Sequence, residues 1–217
     1  MKKLFLLIVL MFGYSVYSQE VKIENVPFSV KHDDMIFYLD KDTSSYISVH
    51  TVKLSELKEL TGIRSDKWHK EPPYGPYNKQ HYVKTGYDLG HLTPSDITSY
   101  SDSLNYHSFS LFNQAPQLAG FNRGKWAQLE KKVVKTLIKE KSDAIIVTGV
   151  IYDNNKKVYL YKSRIKIPMS FYKIIVTKNK ITCYIGSNIN GEIVTTDLNT
   201  IIDICKKNKN TLSIIVK

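Results

Sequence analysis

Apolar segments of strand length, separated by short polar turns, recur along this 217-residue chain. The segments at 35–39 and 45–50 flank the turn Asp40-Lys41-Asp42 and predict a β-hairpin. Residues 143–151 form an almost continuous apolar run, which is typical of a strand buried on both faces. Further strands are expected at 81–84, 87–93, 107–113, 157–167, 170–177, 180–186 and 211–216. Helices do not alternate regularly with these strands, so an α+β fold with an antiparallel sheet is favoured over a doubly wound sheet.

Helical spacing of apolar residues is clearest in one long segment, from about Asn122 to Lys141. An apolar stripe recurs there every three or four residues, and lysines occupy the other faces. The stripe consists of Trp126, Leu129, Val133 and Leu137. Shorter helices are predicted in the segment Leu-Ser-Glu-Leu-Lys-Glu-Leu, which stops at Gly62, and at 197–206.

The chain is strongly basic, with 31 Lys and Arg against 20 Asp and Glu and a net charge of +11. This excess indicates an anionic partner, which the charge alone leaves open between nucleic acid, a membrane surface and an acidic glycan. Eight of the basic residues fall between Tyr152 and Lys180, beside one acidic residue. Such a cluster fits a phosphate-binding surface and an ordinary solvated face equally well. Two cysteines exclude a disulfide scaffold, and whether Cys183 and Cys205 pair is left open.

The N-terminus predicts export. Two lysines precede an apolar run from Leu4 to Phe12, which is too short to span a bilayer and suits the core of a secretory signal. We expect a signal peptide at 1–18, followed by a single domain at 19–217 that is secreted or periplasmic. No later stretch is long and apolar enough to be transmembrane, so no stable membrane association is expected.

Three polar motifs follow one another in the middle of the chain. Asp-x-Gly-His occupies 88–91, Asn-x-x-Pro-Gln occupies 113–117, and Asn-Arg-Gly-x-Trp-x-x-Leu-Glu occupies 122–130. On one helix, Asn122 and Glu130 would lie two turns apart on neighbouring parts of a face. An amide oxygen and a carboxylate beside a histidine can form a hard-cation site in which most ligands are water, as Mg²⁺ prefers.

This order and spacing of motifs resembles the DNA/RNA non-specific endonuclease family, the ββα-metal or His-Me finger nucleases. The resemblance is strongest from about Arg64 to Glu130. It implies an α+β fold whose mostly antiparallel central sheet is flanked by helices and carries a ββα-metal active-site motif. It also implies Mg²⁺ as cofactor, with Mn²⁺ as a substitute, and DNA and RNA substrates bound through the phosphate backbone.

The resemblance implies a role for each matching residue. His91 corresponds to the general base that deprotonates a water molecule. Asn122 corresponds to the direct protein ligand of the metal, and Glu130 to the glutamate that supports the hydration shell of the metal. Asn113 corresponds to a second active-site asparagine that shapes the site, and Arg64 resembles a phosphate-binding arginine.

The sequence departs from the family at Leu89, where an arginine usually holds the scissile phosphate. The loss of one such donor weakens transition-state stabilisation by on the order of 3 kcal/mol, unless another cation substitutes. Arg123, Arg64 and Lys84 are the candidates for that substitution. Together with Lys125, Arg123 and Lys84 are also the predicted substrate-binding residues.

The predicted function is therefore a secreted, Mg²⁺-dependent endonuclease that cuts DNA and RNA. Two alternatives are a catalytically weak nucleic-acid-binding protein of the same fold, and a basic exported module that binds acidic glycans. The remaining histidines have no metal-ligand spacing along the chain, so no zinc site is expected among them. They are His32, His50, His69, His81 and His107. The oligomeric state is left open.

Overall fold

The computed structural model describes residues 20–24, 27–40, 45–72, 78–153, 155–208 and 213–216, so the predicted signal peptide at 1–18 lies outside the described residues. The strands are β1 Val21–Glu24, β2 Phe28–His32, β3 Met35–Leu39, β4 Ser45–Val52, β5 Tyr87–His91, β6 Gln114–Leu118, β7 Ala144–Ile151, β8 Ser170–Val176, β9 Ile181–Ser187, β10 Ile193–Thr196 and β11 Ser213–Val216. Seven of them form the central sheet in the order β10-β9-β8-β7-β4-β3-β2. All of its pairings are antiparallel, which confirms the predicted fold class.

The strands at the centre of this sheet are mostly apolar because both of their faces are covered. Seven of the eight residues of β7 are buried, and so are six of the seven residues of β8. The predicted hairpin between β3 and β4 is confirmed, with an irregularity between Tyr38 and Leu39. Two smaller antiparallel pairs, β1 with β11 and β5 with β6, lie outside the sheet.

The helices of the described residues are α1 Leu54–Leu57, α2 Asp102–Ser108, α3 Ala119–Phe121, α4 Ala127–Glu140 and α5 Leu198–Lys207. The predicted stripe of α4 is confirmed, since Leu129, Val133 and Leu137 are buried against the sheet. Helical backbone begins earlier than predicted, at α3, and passes through the π-helical turn Asn122–Trp126. None of the described helices has the length and apolar character needed to cross a membrane.

Apolar side chains form two clusters. The larger one joins the central strands to α4 and α5, and it contains both cysteines, whose thiols are free and buried. The smaller one joins β3 to α2 and to the loop carrying Leu160 and Ile165. Leu89 and Trp68, which flank the site described below, pack against this smaller cluster.

Three local predictions were wrong. Residues 81–84 do not form a strand, because the Asn78 side chain accepts a hydrogen bond from the Gln80 backbone and begins a 3₁₀ turn at Lys79–Tyr82. Residues 107–113 are not a strand either. Ser101 caps α2 by accepting a hydrogen bond from the Leu104 backbone, and the next strand begins only at Gln114. In 157–167 only an isolated bridge between Tyr159 and Lys166 forms.

Candidate active site

The three polar motifs form one strand–strand–helix unit. Strands β5 and β6 pair antiparallel, with Asp88 opposite Gln117 and His91 opposite Gln114. Helix α3 begins at Ala119, directly after β6, and the chain continues through the π-helical turn into α4. The hairpin thus presents the histidine motif beside the start of the helix that carries the asparagine motif.

Gly90 is required by the close packing of this hairpin. A Cβ atom at this position would overlap the side chain of Gln117, which lies directly over it. Any larger residue would force the two strands apart. This contact gives a structural reason for the glycine of the Asp-x-Gly-His motif, immediately before His91.

The imidazole of His91 is enclosed by aromatic rings. The ring of Trp68 lies 4.6 Å from it, and the ring of Phe109 meets it edge-on at 4.9 Å. Burial, aided by the positive charge of Arg64, lowers the pKa of His91 to about 3. Its Nε2 atom is buried and has no hydrogen-bond partner among the described residues. His91 is therefore neutral at physiological pH, which is the form that can accept a proton.

Asp88 joins the strand of His91 to the helical turn of Asn122. Its Oδ2 accepts a hydrogen bond from Asn122 Nδ2 at 2.9 Å, and both of its oxygens accept from the guanidinium of Arg123, at 2.8 Å and 2.6 Å. A carboxylate can only accept, so it fixes the amide with the nitrogen towards Asp88 and leaves Oδ1 available to bind a cation. Burial alone would raise the pKa of Asp88, but the hydrogen bonds from Arg123 and Asn122 hold this pKa below its usual value.

Glu130 forms a buried ion pair with Lys173 of β8. Its Oε1 lies 3.6 Å from Lys173 Nζ, and the side chains are 19% and 2% exposed, respectively. Lys173 Nζ donates to Thr148 Oγ1 at 2.7 Å and lies 5.1 Å from the centre of the Trp126 ring. Burial raises the pKa of Glu130 to about 7, against the opposing effect of the Lys173 charge. No described residue donates a hydrogen bond to the buried Oε1 atom.

Arg64 and Asp96 connect the histidine end of the site to the glutamate end. Arg64 donates to Ser95 Oγ at 2.7 Å, and its Nη1 lies 3.7 Å from an oxygen of Asp96. The charge of Arg64 acts on His91, and the charge of Asp96 acts on Glu130. The structure therefore brings these groups into one continuous electrostatic site.

Asn113 is completely buried beside this site. Its Oδ1 accepts from the Thr93 backbone at 2.8 Å, and its Nδ2 donates to the carbonyl oxygens of Thr93 and Ser108 at 2.7 Å each. The Asn113 carbonyl also accepts from the Leu92 backbone at 2.9 Å. All polar atoms of this side chain bind backbone, so Asn113 is a positioning residue for the chain that follows His91.

The predicted substrate-binding cations lie at the surface. Lys84 is exposed in the turn before β5 and has a φ of 59°, and Lys125 is exposed in the π-helical turn. Arg123 is 74% exposed, but its guanidinium is already paired with Asp88. Leu89 is half-buried against the smaller apolar cluster, on the same face of β5 as His91.

Sequence reasoning missed three residues of this site: Trp68, Asp96 and Lys173. Lys173 left a usable signal, because a single charge inside the apolar run of β8 must find a partner when buried. Trp68 stands in the pattern Arg-x-x-x-Trp-x-x-Glu-Pro that begins at Arg64, but the pattern assigns it no role, and Asp96 left no signal.

The residues around Asn122 fit a hydrated hard cation. The candidate ligand atoms are oxygens, namely Oδ1 of Asn122 and the carboxylate oxygens of Glu130, of which Oε1 also faces Lys173. Oxygen is the donor that Mg²⁺ and Ca²⁺ prefer, and Mg²⁺ keeps several waters when it is bound by few protein groups. Such waters would supply the hydrogen bonds that Glu130 Oε1 lacks.

The fold has a counterpart among solved structures. It is similar to a chain in the crystal structure of the EndoG/EndoGI complex, with a TM-score of 0.70 and 19% identity, over 82% of this chain and 83% of that chain. At this level of identity the likeness shows a shared fold.

Known proteins are also similar in sequence. The mitochondrial nuclease of Saccharomyces cerevisiae is 35% identical over 109 residues, which cover 45% of this chain and 33% of that protein. Nuclease C1 of Cunninghamella echinulata var. echinulata is 31% identical over 104 residues, or 44% of this chain and 41% of that protein. The matched segments thus span less than half of either relative.

The match to a family profile is much longer. The profile described as DNA/RNA non-specific endonuclease matches residues 14–212, which is most of the chain. It includes β5, β6 and α4 and all of the site residues described above. The chain therefore belongs to the DNA/RNA non-specific endonuclease family.

Proposed function

We propose that the protein is a Mg²⁺-dependent endonuclease that hydrolyses phosphodiester bonds in DNA and RNA. One observation carries the proposal. Asp88, on the same strand as neutral His91, orients the amide of Asn122 through a hydrogen bond of 2.9 Å. A proton acceptor and a metal ligand are thereby held on one rigid unit, which is what metal-assisted hydrolysis needs.

His91 acts as the general base. Its neutral ring takes a proton from a water molecule, which then attacks phosphorus in line with the leaving oxygen. The rings of Trp68 and Phe109 hold the imidazole in position on two sides. A bound phosphate beside His91 would raise its pKa, so proton transfer is more favourable in the substrate complex than in the free protein.

Asn122 would bind the metal directly, and Glu130 would accept hydrogen bonds from the waters of its hydration shell. When bound there, Mg²⁺ supplies a Lewis acid that stabilises negative charge on the phosphate and the leaving oxygen. Mn²⁺ also prefers oxygen donors and is the expected substitute. The Lys173 charge keeps Glu130 ionised more readily than burial alone would allow, so its oxygens can accept from the waters of the metal.

Phosphate binding in this chain relies on cations other than residue 89. Arg64 is positioned by Ser95 next to His91, which makes it the best candidate to contact the scissile phosphate. We assign binding of the nucleic-acid phosphate backbone to a basic surface that lines one groove, formed by Lys156, Lys157, Lys162 and Arg164. Lys162 Nζ lies 5.2 Å from the ring of exposed Tyr161, a combination suited to stacking a base beside a phosphate.

The same proposal includes export. A basic and apolar leader at 1–18 would direct the single domain at 19–217 to the periplasm or the medium. Contact with nucleic acid is through the backbone, so no base sequence is selected.

A catalytically weak nucleic-acid-binding protein is the second candidate, and two observations favour it. Leu89 stands where the family usually has an arginine, and the nearby Arg123 is occupied by Asp88. This candidate retains binding with little turnover.

Digestion of supercoiled plasmid and of a structured RNA, with Mg²⁺ and with EDTA, tests the proposal. We expect metal-dependent cleavage of both substrates by the wild type and none by His91→Ala/Asn122→Ala. The variant Asn199→Ala, which changes an exposed asparagine of α5 outside the site and the groove, serves as the control. Intact DNA and RNA at every Mg²⁺ and Mn²⁺ concentration would exclude the nuclease function, and binding without cleavage would select the second candidate.

A further inference from the structure

Two histidines and a glutamate from separate parts of the chain meet away from the site at Asn122. They are His32 of β2, Glu71 of the loop that follows α1, and His107 of α2. One ring nitrogen of each histidine and one carboxylate oxygen lie within 4.8 Å of one another. These residues are 39 and 36 positions apart, so the group forms only in the folded chain and has no metal-ligand spacing in the sequence.

The three side chains are largely shielded from solvent and are only partly satisfied by protein. His32 Nε2 lies 2.8 Å from Glu71 Oε2, with side chains 15% and 14% exposed, respectively. The other Glu71 oxygen accepts a hydrogen bond from Ser110 Oγ. His107 Nδ1 is buried and has no hydrogen-bond partner among the described residues. A buried polar atom of this kind is costly unless a ligand or an ion satisfies it.

The donor set selects a borderline-soft cation. Two imidazoles and one carboxylate bind Zn²⁺ in sites that leave a fourth position for water, whereas Mg²⁺ prefers oxygen alone. The His32 and His107 rings are stacked with centroids 3.7 Å apart. Ring nitrogens bind a metal in the plane of the ring, so one of the two rings turns out of this stack when both bind one Zn²⁺ ion.

We propose that His32, Glu71 and His107 form a Zn²⁺ site that is distinct from the Mg²⁺ site at Asn122. Water completes the coordination. The Ser110 hydroxyl orients Glu71 as an outer partner of the metal, as such hydrogen bonds commonly do.

The site stabilises the position of the loop at 64–71, which carries part of the catalytic centre. Arg64, Trp68 and Glu71 belong to one short segment, whose backbone is also tied to the end of α2 by the bridge between His69 and Ser110. Zinc would anchor the end of this segment to β2 and α2 at the same time. Because Trp68 packs on His91, the ion supports the position of the general base, an effect that rests on the proposed nuclease function.

The test is a titration of the purified, EDTA-treated full chain with Co²⁺ and then Zn²⁺, without nucleic acid. Visible absorption of four-coordinate Co²⁺ and calorimetry report affinity and stoichiometry, and thermal unfolding reports stabilisation. We expect one tight site in the wild type, in His81→Ala and in Asn122→Ala. In His107→Ala we expect affinity to fall by at least about 100-fold and the Zn²⁺-induced rise in Tm to disappear.

Glu71→Gln provides a second variant that keeps the shape of the cluster and guards against misfolding of His107→Ala. It should weaken Zn²⁺ binding while circular dichroism stays unchanged. Equal Zn²⁺ affinity in the wild type and both variants would overturn the proposal, and so would loss of the tight site in Asn122→Ala. The titration contains no substrate, so a failure of the nuclease proposal in plasmid digestion leaves this result independent.

Discussion

The Oδ2 atom of Asp88 accepts a hydrogen bond of 2.9 Å from Asn122 Nδ2, and this bond joins the strand of His91 to the π-helical turn of Asn122, the proposed metal ligand. Asp88 is not placed at the reacting atoms. It sets the direction of the amide on one element while its own strand carries the base. The distance between His91, the proposed base, and Asn122, the proposed metal ligand, therefore depends on a residue that performs no chemistry.

Replacing Asp88 by Ala should weaken metal binding more than it weakens folding. Without the carboxylate the Asn122 amide is free to rotate, and outer partners of metal ligands typically contribute 10–100-fold in affinity. We expect the Mg²⁺ concentration for half-maximal cleavage to rise by about that factor. Arg123→Ala is the control, since it removes the ion pair and keeps the bond to Asn122. Equal Mg²⁺ dependence in the wild type and Asp88→Ala would contradict this role.

Introducing the missing cation through Leu89→Arg should raise turnover. The side chain lies on the same face of β5 as His91, and one correctly placed donor to a transition state is worth about 10²–10³-fold when removed from a native site. We expect a gain of roughly tenfold, because the arginine replaces apolar contacts with the smaller cluster. Leu89→Met controls for packing. A folded Leu89→Arg protein with lower kcat would show that Arg64 already fills the phosphate position.

Removing one partner of the ion pair between Glu130 and Lys173 should lower the stability of the protein. Lys173→Met leaves a buried carboxylate without its counter-charge, which typically costs about 3–5 kcal/mol. It also removes the effect that lowers the pKa of Glu130. The double variant Lys173→Met/Glu130→Gln should recover much of the stability but not the activity. Urea unfolding of the wild type, the two single variants Lys173→Met and Glu130→Gln, and the double variant gives a double-mutant cycle. Additive effects of the single variants on the free energy of unfolding would show that the two residues are not coupled.

Stability should fall as the pH falls from about 6.5 towards about 4, partly because of His50. This residue is fully buried, its ring nitrogens have no hydrogen-bond partner among the described residues, and burial lowers its pKa to about 4. In the unfolded chain the pKa is about 6.5, so in this window the unfolded state binds more protons. The stability lost because of this difference in pKa is on the order of 3 kcal/mol. The variant His50→Phe should show a flatter stability profile between pH 7 and about pH 4.5, and a profile parallel to the wild type would contradict the assignment.

The basic surface of Lys156, Lys157, Lys162 and Arg164 should account for much of the salt dependence of DNA affinity. Changing all four to Gln removes up to four phosphate contacts, each worth a slope of about 0.9 in log affinity against log salt for duplex DNA. We expect the slope to decrease by about 2 to 3.6 while kcat at saturation changes little. Equivalent changes at four exposed lysines of α4 are the matched control, namely Lys131, Lys132, Lys135 and Lys139. An equal loss of slope in both variants would indicate unspecific attraction.

Sequence patterns predicted the parts of this protein in which local rules decide structure. The buried strands β7 and β8 and the stripe of α4 follow directly from apolar runs and helical spacing. The strand predicted at 107–113 failed because a capping serine outweighed the β propensity of the aromatic residues that follow α2.

These patterns could not predict which side chains contact the site residues. Motif spacing placed His91 and Asn122 on neighbouring elements, but nothing in it indicated that Trp68 would enclose the base or that Lys173 would pair with Glu130. The same holds for His32 and His107, whose rings stack only because β2 and α2 converge. These contacts depend on tertiary packing between segments far apart in the chain.

The most direct test of the account is the cleavage rate of His91→Ala at saturating Mg²⁺, measured beside the wild type and Asn122→Ala. A general base contributes about 10²–10⁴-fold, so His91→Ala should lose that factor in kcat and keep the Mg²⁺ dependence of the wild type. Asn122→Ala should instead require far more Mg²⁺ to reach any activity. A folded His91→Ala protein that cleaves DNA within about threefold of the wild-type rate would contradict the assignment of His91 as the base.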